Sequence, residues 1–581
     1  MQIAFFDWII IAIYMLFAVG VGIYFSRRAG RNIGEFFISG RNLPWWIAGT
    51  SMVATTYAAD TPLFVSGVIA KEGIAGNWLW WNLAASHVMA TFFFARLWRR
   101  AGILTDIELL HIRYSGTPAQ FLRGFRALWE GILLNCITMG WVMLAMVKII
   151  GVLVDWPKWW ALAILLIIAF FYSVMSGFWG VVMTDFPQFI IAMFGSIMLA
   201  IIAVVENDGI TQIKERLNVL YADRADQILS FVPKLGSEFL PLTTFLAFIT
   251  VNWWASKTAD AGGYLAQRMF SAKNEKHSFL ATFWYTIALY CLRPWPWIVV
   301  GIVSLLVYPN LSDPEIGYPM MVVEYLPTGL LGLMLVSFLA AFMSTIDTQV
   351  NWGTSILVND FYKPFVNPNK KDHHYVTVSR LVTFGLLVLG TSTAAMMQTI
   401  KGAWELFYGM SAGIGGVYIA RWFWWRVNAW SEITAWLASA FIYSLLYFIH
   451  KFSPTDFYAI YGWRLIIVTG FSTMCWLAAT FLTRPVSEEK LIDFYKKVKP
   501  GSPFWKPIAQ KVGSLNVEKM GWSDILMWLV GIVLVYSFLF GIGKLVLGSF
   551  LTGFIYMFIA ITAGMLIYQH FSKKGWEKVV Q

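Results

Sequence analysis

A succession of long apolar runs, each about as wide as a bilayer and each closed by a loop, constrains this chain more than any single motif. In lipid, such runs satisfy their own backbone hydrogen bonds only as helices. Fifteen are read along the 581 residues, at about 6–25, 45–70, 76–98, 127–153, 158–175, 178–205, 239–268, 276–308, 327–360, 376–398, 402–426, 431–450, 463–483, 523–545 and 549–571. With 58% of residues hydrophobic and 13% charged, the reading is an all-α polytopic membrane protein surrounded by lipid.

The net charge of +11 does not call for nucleic acid, because the basic residues fall in loops between apolar runs. Arg27, Arg28, Arg31 and Arg41 follow the first span and assign its far end to the cytoplasm. The same bias returns in every second loop, at 99–126, 268–276, 363–371, 421–426 and 484–519. An odd number of spans then puts the N-terminus outside and the tail, with Lys573, Lys574 and Lys578, inside the plasma or inner membrane. The first run has no basic leader or small-residue cleavage pattern and reads as a retained helix. Loop 206–238 reads as extracellular with a short amphipathic helix, and the Lys-rich, Pro-punctuated stretch 484–522 as a cytoplasmic linker. Cys136, Cys291 and Cys475 all fall within apolar spans, too scattered for a metal site.

Within the ninth span, Ala341, Ser344, Thr345 and Thr348 share one helical face, at offsets of zero, three, four and seven. Their hydroxyls, with the Asp347 carboxylate at the edge, offer oxygen ligands to a hard cation. The plainer alternative is that the hydroxyls bond back to carbonyls one turn earlier or glue helices together. The carboxylate tips the balance toward an ion site.

Two spans cannot be plain helices. In the second, Pro62 removes a backbone donor and clashes with the carbonyl of Ala58, freeing backbone groups near Thr55–Ala58 beside Asp60 and Thr61. In the seventh, the stretch 252–263 combines Trp253, Trp254, Lys257 and Asp260 with the pair Gly262–Gly263. Interrupted, polar segments five spans apart are the expected trace of an inverted repeat with a midplane binding site. Asp185, on the sixth span, approaches Asp347 if the sixth and ninth spans pack together; a proton or a cation then sits between them. A salt bridge to Lys148 or Lys257 is the competing account. His87 reads as an interior histidine, Arg293 as paired with an acid, and Glu130 and Glu405 as span-end acids reaching water. Many of the 31 tryptophans suit interfacial belts, whereas Trp80, Trp253 and Trp254 are candidates to face a cavity. The candidate solute contacts are therefore Asp60, Thr61, Trp80, Trp253, Trp254 and Lys257.

The segment Gly34-Glu35-Phe36-Phe37-Ile38-Ser39-Gly40-Arg41, then Leu43-Pro44-Trp45-Trp46, Thr184-Asp185, Gln267-Arg268, Ala340-Ala341 and Ser344-Thr345 resembles the sodium:solute symporter family. The resemblance implies a LeuT-like fold: one leading helix, two inverted five-helix repeats and about four further C-terminal helices. The chain then divides into a leading helix and loop (1–44), a first repeat (45–205), an extracellular loop (206–238) and a second repeat (239–430). Two accessory helices (431–483), a cytoplasmic linker (484–522) and two C-terminal helices with the tail (523–581) follow. It also implies a Na⁺ site at Ala54, Tyr57, Ala341, Ser344 and Thr345, and a second cation site at Asp185, Asp347 and Thr348, where Asp347 departs from the family's hydroxyl.

The resulting expectation is Na⁺-coupled uptake of a small organic solute (a sugar, sugar acid, polyol or amino acid) by alternating access. Coupling to protons through Asp185 and Asp347 is the nearest alternative, and a solute sensor that transports little is another. No nucleophile–base pair or metal cluster points to an enzyme.

Overall fold

A computed structural model describes residues 3–29, 38–56, 58–237, 240–452, 460–513, 515 and 517–574. Among these, helix is the only regular structure, and the one β pairing is an isolated bridge between Leu43 and Ala272. Nine helices of the described residues are long and apolar enough to cross a membrane: Gly116–Val154, Val181–Val205, Glu275–Val307, Leu330–Val366, Asp372–Met396, Ala429–Phe452, Tyr461–Leu482, Trp522–Val546 and Phe550–Lys573. Three shorter apolar helices, Phe5–Val21, Lys158–Phe170 and Leu242–Ala255, fall on further expected spans. The other three, near 45–70, 76–98 and 402–426, are helices in pieces, each piece below spanning length.

The breaks fall where backbone chemistry puts them. Trp45–Thr56 stops before Pro62, and helix resumes at Asp60–Glu72. The seventh span halts after Ala255 and resumes at Tyr264–Ser271. Between them Ala261 and Gly263 have φ of +54° and +76°, the left-handed region that a helix cannot contain. A second glycine matters here for lack of a side chain: a Cβ on Gly415 would lie 2.1 Å from the Trp254 carbonyl oxygen, so helix Gly415–Phe423 can press directly on the break.

Leu330–Ile356 is deeply enclosed, with every residue from Ala340 to Val350 buried. It packs against Phe5–Ala29, Gly116–Val154 and Lys158–Val205. The last of these runs 48 residues without interruption where two spans, 158–175 and 178–205, are expected. Gly177 and Gly180, at the expected division, weaken a helix without ending it. Peripheral helices are apolar outward: Phe550, Phe554, Phe558 and Ile561 of the last helix are all exposed, as suits a lipid solvent.

The loop 206–238 carries the expected amphipathic helix, Gly209–Tyr221, with Ile213 and Leu217 buried. The stretch 484–522 is not an extended linker. It forms Glu488–Val498 and Lys506–Val512, whose Leu491, Phe494, Val498 and Ile508 are buried against the bundle.

Candidate functional site

The broken second span and the hydroxyl-bearing helix meet. Thr345 Oγ1 donates to the carbonyl of Thr55, at 3.1 Å, in the last turn before the break. Ala54 and Ala341 are each 4% exposed and Ser344 1%, so the oxygen-rich contact is shielded from bulk solvent. Tyr57 lies outside the described residues. Four of the five residues expected at the Na⁺ site are thus buried around this junction, where a helix end leaves carbonyls without intrahelical donors. Carbonyl and hydroxyl oxygens are the donor type that Na⁺ takes.

Asp185 lies beside it. Its two carboxylate oxygens accept from Ser51 Oγ at 2.5 Å and from Ser344 Oγ. The counter-cation is neither Lys148 nor Lys257 but Arg268, 4.0 Å away, with both partners fully buried. Arg268 also donates to Ser51 Oγ at 3.3 Å and to Thr55 Oγ1 and Thr348 Oγ1 at 3.0 Å each. It therefore sits among the residues expected to form a second cation site, and Asp347 is buried within its electrostatic reach. Lys148 instead meets Asp313 at 2.6 Å and Glu315 at 2.5 Å.

Next to the junction is a cavity of about 170 Å³, lined by Thr55, Thr56, Asp60, Thr61, Trp80, Lys257, Arg293, Thr345, Gln349 and a group of aromatic residues. Four expected solute contacts, Asp60, Thr61, Trp80 and Lys257, line it. Trp80 stacks on Tyr290, centroids 5.8 Å apart, and His87 bonds the Tyr290 hydroxyl at 2.7 Å. Trp253 and Trp254 are not among the lining residues. Trp253 packs on Trp528 of a C-terminal helix, centroids 5.6 Å apart, and Trp254 Nε1 donates to the Thr250 carbonyl at 2.8 Å. Both precede the break and follow the helix surface, whereas the wall is built by residues within and after it. Arg293 donates to the Val53 carbonyl and Thr56 Oγ1, each at 3.1 Å, and so holds the last turn before the first break. Trp404, Phe407 and Tyr408 in the wall are not among the residues expected from sequence. Their three- and four-residue spacing on one apolar helix was the available signal.

One end of the cavity is closed by a buried charge network that the sequence reading does not anticipate. Glu130 does not reach water: it is 2% exposed, accepts from Arg126 Nε at 2.6 Å and lies 3.5 Å from Lys257 Nζ. Arg421 binds Asp260 at 2.7 Å and Glu432 at 3.3 Å, tying the broken segment to two later helices. Trp98 Nε1 donates to the Asp260 carbonyl at 2.7 Å, and Asp106 accepts from Gly263 N–H at 3.2 Å and from Trp352 Nε1 at 3.0 Å. A buried charge is tolerated only when paired, and each of these acids has its base. Trp505, from the stretch expected to be a linker, covers the layer. Its Nε1 donates to the Trp422 carbonyl at 2.8 Å, and the Arg113 guanidinium lies 5.0 Å above its ring.

A many-helix membrane bundle with two interrupted helices, an oxygen-lined junction and an adjoining polar–aromatic cavity defines a carrier of a small solute and an ion. Residues 36–437 match the sodium:solute symporter family. Among its relatives, a sodium/glucose cotransporter 4 of Danio rerio is 24% identical, the match covering 90% of this chain and 88% of that protein. A sodium/glucose cotransporter of Vibrio parahaemolyticus is also 24% identical, over 75% of this chain and 84% of that one. In fold, the chain is similar to a Na⁺-coupled sialic acid symporter solved in a substrate-bound, outward-open state. That likeness has a TM-score of 0.67 at 17% identity and covers 83% of this chain and 99% of the other. The chain belongs to the sodium:solute symporter family, with a LeuT-like fold and Na⁺ as its coupling ion.

Proposed function

We propose that the chain imports a small organic solute with one Na⁺ by alternating access. The observation that carries the reading is the Thr345–Thr55 junction, which joins the first break to the hydroxyl helix beside the cavity. Ala54, Tyr57, Ala341, Ser344 and Thr345 are its Na⁺ ligands, and Na⁺ between them holds the broken helix against Leu330–Ile356. Arg268 supplies the positive charge that a second cation would bring to Asp185, which favours a single coupled ion. One charge moved through ~100 mV contributes ~2.3 kcal/mol, about a fifty-fold accumulation before any concentration gradient.

The loop charges place the Asp260–Arg421 network on the cytoplasmic side, so the structure is read as closed inward. Inward release then requires that these pairs part. The experiment is uptake in proteoliposomes with imposed and with collapsed Na⁺ gradients, at fixed pH and membrane potential. Accumulation that follows the Na⁺ gradient is expected. Uptake that follows a proton gradient and ignores Na⁺ would overturn the reading.

A further inference from the structure

The chain pairs its buried acids with notable consistency. Asp106, Glu130, Asp185, Asp260, Glu315, Asp360 and Glu432 each have an Arg or Lys nitrogen within 4.0 Å. Asp347 is within electrostatic reach of Arg268, and Asp7 is held instead by the backbone N–H groups of Ala4, Gly329 and Gly332. Asp60 is 1% exposed and, among the described residues, has no Arg or Lys nitrogen within 4.0 Å; the Arg293 guanidinium is within electrostatic reach but makes no ion pair with it. Its Oδ1 makes no hydrogen bond, and it lines the cavity. Trp404 Nε1, on the same cavity wall, is likewise buried without a bond; the two approach each other but do not meet hydrogen-bond geometry. Asp60 heads the helix that resumes after the break, so a helix N-terminus offsets part of its charge. That is a fraction of a unit, and Arg293 adds to it only from beyond 4.0 Å, whereas every other acid in the paired set has a cation within that distance.

We infer that the missing partner arrives with the cargo: the transported solute carries an ammonium group, which docks on Asp60. This rests on the proposed symport through the same cavity. A neutral hydroxyl returns one hydrogen bond to the carboxylate but leaves its charge uncompensated, whereas an ammonium returns both. The surrounding wall suits that group. Trp404, Tyr408 and Tyr264 line the cavity, and both tyrosine hydroxyls lie within electrostatic reach of Asp60. Aromatic faces around a carboxylate favour an alkylammonium through the ring quadrupole. The cavity of about 170 Å³ suits a solute of small-molecule size.

The test uses the full-length protein in nanodiscs, with thermal unfolding read at saturating Na⁺ and in K⁺. The probes are L-alanine, L-proline, ethanolamine, choline, D-glucose and myo-inositol. At least one ammonium-bearing probe is expected to stabilise the protein only with Na⁺, and the neutral polyols are not. In Asp60→Asn that probe's apparent affinity is expected to fall at least tenfold, with Asp60→Glu recovering part of it. The Na⁺ shift measured without solute is expected to be unchanged in both variants, which also reports that they fold. Stabilisation by glucose or inositol alone, or by no ammonium probe, overturns the inference and leaves Na⁺ symport standing. A lost Na⁺ shift in Asp60→Asn overturns it differently, by making Asp60 an ion ligand. Absence of any Na⁺ effect in the wild type instead defeats the symport reading itself.

Discussion

Replacing Arg268 by Gln tests whether a guanidinium stands where a second cation would otherwise sit. Asp185 and Arg268 are both fully buried and 4.0 Å apart. At an effective dielectric of ~20, unit charges at that separation attract by about 4 kcal/mol. Arg268→Gln leaves Asp185 with only the Ser51 and Ser344 hydroxyls, and Asp185→Asn leaves the guanidinium with neutral acceptors. Each single change therefore strands a buried charge, at a cost of about 3–5 kcal/mol. The double variant removes both charges together, so the coupling energy of the cycle is expected to be about 2–4 kcal/mol. The assay is unfolding in mixed micelles in Na⁺-free, K⁺-containing buffer, for the wild type, both single variants and the double. A second readout comes from Na⁺ titration. With the guanidinium gone, Asp185, Ser51, Ser344 and Thr348 present a set of oxygens to a cation, and the Hill coefficient for Na⁺ is expected to rise from near 1 toward 2. Additive costs, agreeing within about 0.5 kcal/mol, together with an unchanged Hill coefficient, would refute the reasoning.

Three further outcomes follow from the same geometry. Thr345→Val removes a hydroxyl at the junction, and loss of one ligand to a charged partner, about 1.5–3 kcal/mol, is expected to raise the Na⁺ concentration for half-maximal uptake roughly 10- to 150-fold; an unchanged value removes Thr345 from the ion site. Trp505→Ala deletes a fully buried ring over the charge network and is expected to cost about 3–5 kcal/mol, with faster labelling from the cytoplasmic side of Gln349→Cys in a background lacking Cys136, Cys291 and Cys475; equal labelling rates contradict the covering role. His111, in the loop between the third and fourth expected spans, has its pKa held below 6.5 by partial desolvation and by the charges of Lys490 and Arg123, with Glu108 acting in the opposite sense. The folded state thus favours the neutral ring, and the stability this adds is present above pH 6.5 and fades as pH falls below it. Hydrogen exchange in Glu488–Val498 is expected to quicken between pH 7 and 5.5, and His111→Gln to flatten the change; slower exchange on acidification contradicts it.

What the sequence makes legible here is what periodicity and backbone chemistry control. The face holding Ser344, Thr345 and Thr348 follows from a 3.6-residue repeat, and the two breaks from Pro62 and the Gly262–Gly263 pair. Arg268 was visible as a residue but not as Asp185's partner, because the nearest basic candidates by span position were Lys148 and Lys257. Glu130 shows the same limit: at a span end it reads as solvated, and only packing against Arg126 and Lys257 buries it. The docked stretch 488–512 was hidden by composition. Its lysines and prolines read as a linker, although Leu491, Phe494, Tyr495 and Val498 keep the three- and four-residue spacing of a buried helix face. Cavity walls are the least legible, since Trp80 and Trp253 differ only in which way their helices are turned.

The ion junction and the buried charge layer are built on one helix, and this makes their coupling a matter of geometry. Along Leu330–Ile356, Ser344 bonds Asp185, Thr345 bonds the Thr55 carbonyl, and Thr348 accepts from Arg268. One residue further, the Gln349 carbonyl accepts from Asn135 at 2.9 Å, and Trp352 then donates to Asp106 and lies 5.5 Å from the Lys257 ammonium. Thr345 and Trp352 are seven residues apart, about 10 Å of helix rise, with no interruption between them. A helix of that length transmits a tilt rather than absorbing it, so closing or opening the Thr345–Thr55 contact displaces Trp352 relative to Asp106. Asp106 in turn holds Gly263, the left-handed residue at which the second break ends. The two interrupted helices are thus fastened to the same rigid rod, one at the ion junction and one at the buried charge layer. An ion bound at the first is therefore mechanically placed to decide whether the second stays shut.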